Sequence, residues 1–299
     1  MKIGFIGNSA FFGRIATSLQ QTRHSVCGIY HSRKADLTRD IQEYPSAESL
    51  ISSTDLVYVA KDDLPLFEIS QIAIKEAKHL FFESPFLFDH ESFQHLFHLA
   101  HESQSILRFG QKLLVHPVYS PVRTQLNPLF VSYRVDSPGG YETFDDVRNV
   151  LFDLVSTIWE TVHSDLRKIN YLPLEYNTQY PRTFFFDMDF DNGTHVNILF
   201  NHLAGEARVQ TEFIQASQRF FLDFNRPKLL IHDEISGTSA PRLKKNKHED
   251  EWIAEDFRDF VLSLKDSHPP LTINEDNQAV LTLTHSLLNE MHLKAQLLV

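Results

Sequence analysis

The sequence contains one cysteine, only 10 glycines among its 299 residues, and no long apolar run. Because a disulfide needs two cysteines, the lone Cys27 excludes one within the chain and argues against a cysteine-based zinc site. No apolar run approaches the roughly 20 residues that cross a bilayer. The first residues form a predicted strand directly, without the basic and apolar leader of a secreted protein. We therefore expect a soluble, cytoplasmic protein with no membrane partner.

Positive charge is also in short supply. The chain has 28 Lys and Arg against 39 Asp and Glu, a net charge of −11. An excess of this size disfavours nucleic acid and anionic membranes as partners. The hydrophobic fraction of 42% is typical of a globular protein, and the length predicts two domains.

The first thirty residues carry the strongest local pattern. Lys2–Gly7 (KIGFIG) reads as a strand that ends in glycine, Arg14–Gln21 has helical spacing, and Ser25–Tyr30 reads as a second buried strand. A strand, a tight turn, a helix and a strand open a dinucleotide-binding unit, in which a pyrophosphate lies on the N–H groups of the helix N-terminus.

The turn departs from the G-x-G-x-x-G fingerprint of such units, since its three positions hold Gly7, Ser9 and Phe12. A serine still permits close approach of a phosphate, whereas a phenylalanine at the third position implies a displaced loop. A plain strand–turn–helix without a ligand explains this stretch equally well. If it does bind a cofactor, the predicted contacts are Gly7, Asn8, Ser9 and Phe12.

Cofactor preference depends on the end of the second strand. An acidic residue there would bind the ribose hydroxyls of NAD, but the chain has Ser32 and Arg33, which suit the 2′-phosphate of NADP. An exposed basic turn is the alternative. We expect NADP or NAD as the cofactor, with NADP favoured.

Strands alternate with helices through residues 1–110, which predicts a doubly wound parallel sheet of the Rossmann type. Ala60 and Glu83 end the third and fourth strands and complete the predicted cofactor contacts. His95, His98 and His101 share one helix without a clustered carboxylate, so we interpret them as a solvated face and predict no metal site.

The pattern changes after Gly110, where prolines precede a long helix over 145–163 and strands of period two. Strands over 183–190 and 194–200 flank Asn192-Gly193, a pair typical of a hairpin turn. We therefore predict an α/β domain over residues 1–113 and, over 114–299, an α+β domain with a largely antiparallel sheet.

Several motifs, taken in order, resemble the glucose–fructose oxidoreductase, inositol dehydrogenase and MocA (Gfo/Idh/MocA) family. The segment from Ala77 to Pro85 resembles the family's A-G-K-H-V…E-K-P, and Gly110 with His116-Pro117 resembles its G-x-N-x-R-F-x-P. Phe190–Gly193 resembles the hairpin of the family's substrate domain, and residues 252–276 resemble its terminal helix pattern.

The resemblance implies a nicotinamide cofactor in the first domain and a small sugar, polyol or related carbonyl substrate. The chemistry it implies is hydride transfer with a proton moved by a base. In the family that proton is handled by the lysine of E-K-P and the histidine of D-x-G-x-H. Here Ser84 replaces the lysine, and with Asp153 at the aspartate, Thr157 replaces the histidine.

These replacements leave three functions open. In the first, the chain is a divergent oxidoreductase with Ser84, Asp153 and Thr157 in its catalytic site, and Lys112, His163 or His202 as further substitutes for the lost groups. In the second, it is catalytically inactive and retains the fold for ligand sensing or partner binding. In the third, it is a structural subunit, because the family often forms homo-oligomers through the C-terminal sheet.

Overall fold

The structure is a computed structural model that describes residues 1–20, 24–31, 41–139, 145–174, 181–243, 249–264 and 270–297. The chain divides into two compact units. The first comprises Met1–Lys112 and Lys247–Thr282, and the second comprises Leu113–Asn246 and Leu283–Val299. The division therefore differs from the predicted one, which assigned all of 114–299 to the second domain.

The helices of the two units have the following bounds: α1 Phe12–Gln20, α2 Ala47–Ser52, α3 Leu66–Lys75, α4 His90–Ser103, α5 Asp145–Val162, α6 Glu249–Ser263 and α7 Pro270–Leu297. The sixth explains the different division, because it supplies Phe257, Phe260 and Val261 to the hydrophobic core of the first unit. The Phe257 ring centroid is 5.1 Å from that of Tyr58. Aromatic packing of this kind joins a distant segment to the first unit.

The first unit contains a five-stranded parallel sheet of order β2-β1-β3-β4-β5. Its strands are β1 Lys2–Ile6, β2 Ser25–Tyr30, β3 Leu56–Val59, β4 His79–Phe82 and β5 Leu107–Phe109. A parallel bridge joins Ile29 to Glu43 on the free edge of β2. Counting that bridge as a strand, the order is the 3-2-1-4-5-6 of dinucleotide-binding folds, with the switch point between β1 and β3. The predicted parallel sheet is confirmed.

Local sequence explains the bounds of α4 and the composition of β3. Asp89 caps α4, since its Oδ1 accepts the N–H of Ser92 at 2.7 Å, and Gln104 closes the helix in a left-handed conformation. Strand β3 is buried along its whole length, as expected of a strand covered on both faces.

The second unit contains an eight-stranded sheet of order β13-β12-β11-β10-β6-β9-β8-β7. Its strands are β6 Phe130–Asp136, β7 Leu166–Pro173, β8 Thr183–Phe190, β9 His195–Asn201, β10 Arg208–Ile214, β11 Gln218–Asp223, β12 Lys228–Asp233 and β13 Gly237–Ser239. Neighbours are antiparallel except β6 and β9, which are parallel. The largely antiparallel sheet is confirmed.

Alternation along the strands gives this sheet a buried face and an open face. Phe184, Phe186, Met188 and Phe190 of β8 are buried, while the residues between them are half-buried. The predicted hairpin between β8 and β9 is also confirmed: Gly193 has a φ of +85°, which glycine adopts without strain.

Candidate dinucleotide-binding site

The turn after β1 lies at the switch point, beside the end of β3. Gly7 has a φ of +96°, and a Cβ at this position would lie 2.3 Å from the carbonyl oxygen of Ala60. Any other residue would therefore meet both backbone strain and a steric clash. The first glycine of a dinucleotide-binding fingerprint serves such a tight turn, so Gly7 fits a site for this class of cofactor.

Phe12, which we expected to displace the loop, instead lies in the hydrophobic core. It is the first residue of α1 and 1% exposed. Its ring stacks on Phe5 with centroids 4.7 Å apart and meets Tyr58 edge-on at 5.5 Å. The side chain thus fills the space between helix and sheet, where the family fingerprint has a glycine for close packing.

Asn8 is fixed to the segment that follows β3. Its Nδ2 donates to Asp62 Oδ2 at 2.5 Å, and its backbone N–H donates to the carbonyl of Lys61 at 3.3 Å. Since the N–H of Gly7 donates to the carbonyl of Tyr30 at 2.9 Å, the turn is bound to both neighbouring strands. Its position is therefore set by the sheet.

Ser9, Tyr58 and Glu83 form a polar cluster at the same edge. The phenol of Tyr58 donates to Glu83 Oε2 at 3.0 Å, and the Ser9 hydroxyl lies beside both side chains, where its proton lowers the pKa of the Glu83 carboxyl. Ser9 Oγ also accepts the N–H of Phe11 at 3.1 Å. Residues from the ends of β1, β3 and β4 thus meet at a single carboxylate.

The charge state of this cluster follows from burial. Burial raises the pKa of the Glu83 carboxyl, and the hydrogen bonds from Ser9 and Tyr58 and the positive charge of Lys112 lower it in part. Burial and the nearby Glu83 raise the pKa of Tyr58 well above its usual value, so the phenol stays protonated and acts as the donor.

Ser84 occupies the place of the family's lysine, and its side chain closes a local turn. Its Oγ accepts the N–H of Phe86 at 3.2 Å. A hydroxyl in this arrangement can still donate a hydrogen bond, but its pKa is far too high for it to act as a base near neutral pH.

Thr157 is fully buried on α5 in the second unit. Its Oγ1 donates to the carbonyl of Leu154 at 2.8 Å and lies 2.6 Å from the hydroxyl of Tyr133 on β6. The side chain therefore joins the helix to the buried face of the sheet. Asp153 lies one turn earlier on the same helix and is half-buried.

The other predicted substitutes are in different surroundings. His163 follows α5 and is exposed, with a φ of +48°. His202 is buried, its Nδ1 lies 3.3 Å from the carbonyl oxygen of Ser137, and burial lowers the pKa of its ring. Lys112 is the one whose charge acts on Glu83.

The predicted cofactor contacts Ser32 and Arg33 lie outside the described residues. Gly7, Asn8, Ser9, Ala60 and Glu83 come together at the carboxyl edge of the parallel sheet, whereas Asp153 and Thr157 belong to the second unit. In the part of the chain that the structure describes, no group of three or more His, Cys, Asp or Glu residues could hold a metal ion. No described helix has the length and apolar character of a membrane span.

Two residues of this edge escaped sequence analysis. Tyr58 lies in a continuous apolar run. The one sequence feature that could have indicated its role is a hydroxyl two residues before Ala60, near the end of the strand. Asp256 on α6 is 1% exposed, and its carboxylate accepts Arg108 Nη2 at 2.9 Å and the N–H of Gln111 at 2.8 Å. The partners in these contacts are 145 or more residues apart in sequence, so no local pattern predicts them.

Comparison with known proteins agrees with this geometry. No family model matches the sequence. A stretch of 128 residues is 24% identical to UDP-N-acetylglucosamine 3-dehydrogenase of Acidithiobacillus ferrooxidans, and this match spans 41% of the chain and 41% of that protein. The solved structure of the same enzyme aligns over 99% of both chains with a TM-score of 0.82 and 18% identity.

Two further solved structures contain nicotinamide cofactors. The biliverdin reductase of Synechocystis sp., in complex with biliverdin and NADP+, aligns over 98% of both chains with a TM-score of 0.71 and 13% identity. An oxidoreductase of Agrobacterium radiobacter, in complex with NAD+, L-tartaric acid and magnesium, aligns over 97% of this chain and 96% of its own with a TM-score of 0.76 and 12% identity. The chain thus has the fold of the Gfo/Idh/MocA-type dehydrogenases, as its motifs indicate.

Proposed function

We propose that the chain is a divergent NAD(P)-dependent oxidoreductase that acts on a small sugar, polyol or related carbonyl compound. The observation that carries this proposal is the turn at Gly7, whose backbone approaches Ala60 so closely at the switch point of the parallel sheet. A nicotinamide dinucleotide, when bound, supplies the hydride acceptor or donor.

The proposed contacts follow the order of the strands. The backbone at Ser9 and at the start of α1 at Phe12 faces the pyrophosphate, and Asn8 holds this turn in place through Lys61 and Asp62. The Phe12 ring supports the turn from the core. Glu83 accepts a ribose hydroxyl, and Ser32 with Arg33 binds the 2′-phosphate of NADP.

Proton transfer requires a group that titrates, which hydroxyls do not provide near neutral pH. Among the three predicted catalytic residues, Asp153 is the ionisable one, and we assign the proton to it. We assign a structural role to Ser84 and Thr157, whose hydroxyls hydrogen-bond to neighbouring protein groups. Lys112 is the second candidate for the proton because its charge acts on Glu83.

Cofactor binding is the decisive experiment. A ligand that binds only the native state at 100 times its Kd adds about 2.7 kcal/mol of stability, so millimolar NADPH or NADH should raise the melting temperature. The absence of any rise with either cofactor would overturn the proposal. Arg33→Ala tests the preference, because it should weaken NADPH far more than NADH; equal weakening would exclude the 2′-phosphate contact.

A catalytically inactive protein that senses a ligand is the second candidate. It is favoured by the engaged hydroxyls of Ser84 and Thr157. A panel of sugars and polyols, followed at the nicotinamide absorbance, separates the two. Turnover that is lost in Asp153→Asn and retained in Thr157→Val supports the enzyme, and cofactor binding without turnover on any panel member supports the sensor.

We also propose that two copies associate through the open face of the second unit's sheet. This face carries apolar side chains such as Phe185, Leu199, Phe221 and Leu230, and Ile214 is 37% exposed. Light scattering should give a mass above that of one 34.7 kDa chain. Leu199→Arg should return it to the mass of a monomer, and a monomeric unmodified protein would contradict the proposal.

A further inference from the structure

We propose that Tyr58 is a positioning residue for the cofactor, whose phenol holds the Glu83 carboxylate in place and couples it to the Ser9 turn. This inference rests on the proposed function, because it assigns a role at the same site. It concerns a residue that no motif of the family resemblance includes and that lies within a continuous apolar run.

The orientation of Tyr58 is determined by the aromatic side chains around it. The residue is fully buried on β3, and its ring centroid lies 5.5 Å from Phe12, 5.2 Å from Phe81 and 5.1 Å from Phe257. Rings packed at these distances restrict the orientation of the Tyr58 ring, and therefore the direction of its hydroxyl. In that direction its oxygen is 3.0 Å from Glu83 Oε2.

The groups around the carboxylate come from three further segments. Ser9 approaches from the turn after β1, and the charge of Lys112 acts from the segment after β5. Asp256 of α6 acts on Tyr58 as a second negative charge, and its own carboxylate is paired with Arg108. Tyr58 is therefore the buried neutral donor among charged neighbours, which suits it to fix an acceptor.

A fixed acceptor has a direct consequence for binding. Glu83 must be ionised to accept a ligand hydroxyl most strongly, and each hydrogen bond to the carboxylate favours that form. With the donor in place before a ligand arrives, little ordering is needed on binding. Removal of the phenolic oxygen therefore shifts the pH at which the cofactor binds, an effect that loss of packing alone does not produce.

The test measures NAD+ affinity by calorimetry from pH 4.5 to 8.5 for the full chain and for Tyr58→Phe, because NAD+ lacks the 2′-phosphate, whose own ionisation falls in this range. We expect affinity to rise with pH as Glu83 ionises, and the midpoint to move up by about one pH unit in the variant. Well below the midpoint of the unmodified chain the affinity of the variant should be lower by about tenfold.

Tyr171→Phe is the matched control. Tyr171 is 1% exposed, and its hydroxyl has no hydrogen-bond partner among the described residues. The same oxygen is thus removed from a buried ring in the second unit, and the pH midpoint should stay unchanged.

Glu83→Gln provides the second comparison, because a carboxamide does not titrate. The midpoint should disappear in this variant, and adding Tyr58→Phe should change its affinity little. If Tyr58→Phe does not fold, Ser9→Ala removes the other donor and should shift the midpoint in the same direction.

The outcomes are distinct. An unchanged midpoint in a folded Tyr58→Phe or Ser9→Ala variant overturns this inference while the proposed function stands, and so does an equal loss of affinity with and without Glu83→Gln. If the unmodified chain binds neither NADPH nor NADH, the proposed function fails and the inference fails with it.

Discussion

Gly7 and Ala60 approach so closely that a Cβ on Gly7 would lie 2.3 Å from the Ala60 carbonyl oxygen. The neighbour is backbone, which is held in the sheet by the bond from Ala60 N–H to the Ile6 carbonyl at 2.9 Å. No side-chain movement can therefore relieve the contact. The ends of β1 and β3 can lie this close together only because residue 7 has no Cβ.

The first prediction concerns Gly7→Ala. The positive φ costs an alanine about 1 kcal/mol, and displacement of the β3 backbone adds to it, so we expect a total loss of at least about 3 kcal/mol in the free energy of unfolding. Urea denaturation measures this loss.

Gly193→Ala is its control, since Gly193 has a φ of +85° and no atom within 4 Å of the Cβ position. It should lose only the strain of about 1 kcal/mol. Equal losses in the two variants would show that the contact with Ala60 costs nothing.

The second prediction concerns Phe12. Because its ring is 1% exposed and stacked on Phe5, Phe12→Ala should lose about 3–5 kcal/mol of stability, and Phe12→Leu clearly less. Cofactor affinity should stay within a few-fold in Phe12→Leu, because the ring supports the turn from the core. A Phe12→Ala variant that kept its stability and bound the cofactor more tightly would mean that the ring obstructs the loop.

Phe12 also shows the limit of predicting a residue's position from a local sequence motif. The sequence predicts a helix from Arg14, but the apolar stripe of α1 includes Phe12, Ile15 and Leu19, spaced by three and four residues. Following the fingerprint, we assigned Phe12 to the loop, and that assignment was wrong. Burial of a large ring outweighs the register of a degenerate motif, so the helix begins two residues earlier and Phe12 joins the core.

Elements held by distant contacts were harder to predict. A double proline at 269–270 is a pattern that ordinarily ends a helix, yet α7 begins at Pro270. Proline is tolerated in the first helical turn. Nearby, Asn274 Oδ1 accepts the N–H of Leu107 and its Nδ2 donates to the carbonyl of Ser105, both at 2.8 Å. Strand β7 was missed because its sequence LRKINYLP is mixed in polarity and forms a strand by pairing with β8.

Some residues of the candidate site could be predicted from local sequence patterns, and others depend on contacts between distant segments. The strand ends that bring Gly7, Ser9, Ala60 and Glu83 to one edge follow from alternating strands and helices. The bonds from Tyr58 to Glu83 and from Asp256 to Gln111 depend on side-chain directions in the packed fold.

The third prediction concerns Thr157. Thr157→Val keeps the shape and removes the hydroxyl that lies 2.6 Å from that of Tyr133, so we expect a loss of about 1–2 kcal/mol in unfolding free energy. The double variant with Tyr133→Phe should lose less than the sum of the single losses, because no buried phenol is left poorly paired. Unchanged stability in Thr157→Val, together with loss of any turnover found, would instead assign Thr157 to catalysis.

The fourth prediction concerns pH and His116. This histidine is fully buried, its Nδ1 accepts the N–H of Val118 at 3.3 Å, and burial lowers its pKa from 6.5 to about 4. Since the unfolded chain binds the proton more readily, stability should be complete above pH 6.5 and fall as the pH decreases towards 4. The contribution at stake is about 3 kcal/mol.

The measurement is urea unfolding at several pH values between 4 and 7, for the unmodified chain and for His116→Asn. Asparagine offers an acceptor in place of Nδ1 and does not titrate, so the variant should show a flatter pH dependence across this window. Other histidines contribute equally to both proteins, and the difference between the two curves therefore isolates His116. Parallel curves would mean that the buried ring accepts its proton without cost, which contradicts its place in the core beside Phe224, 5.0 Å between ring centroids.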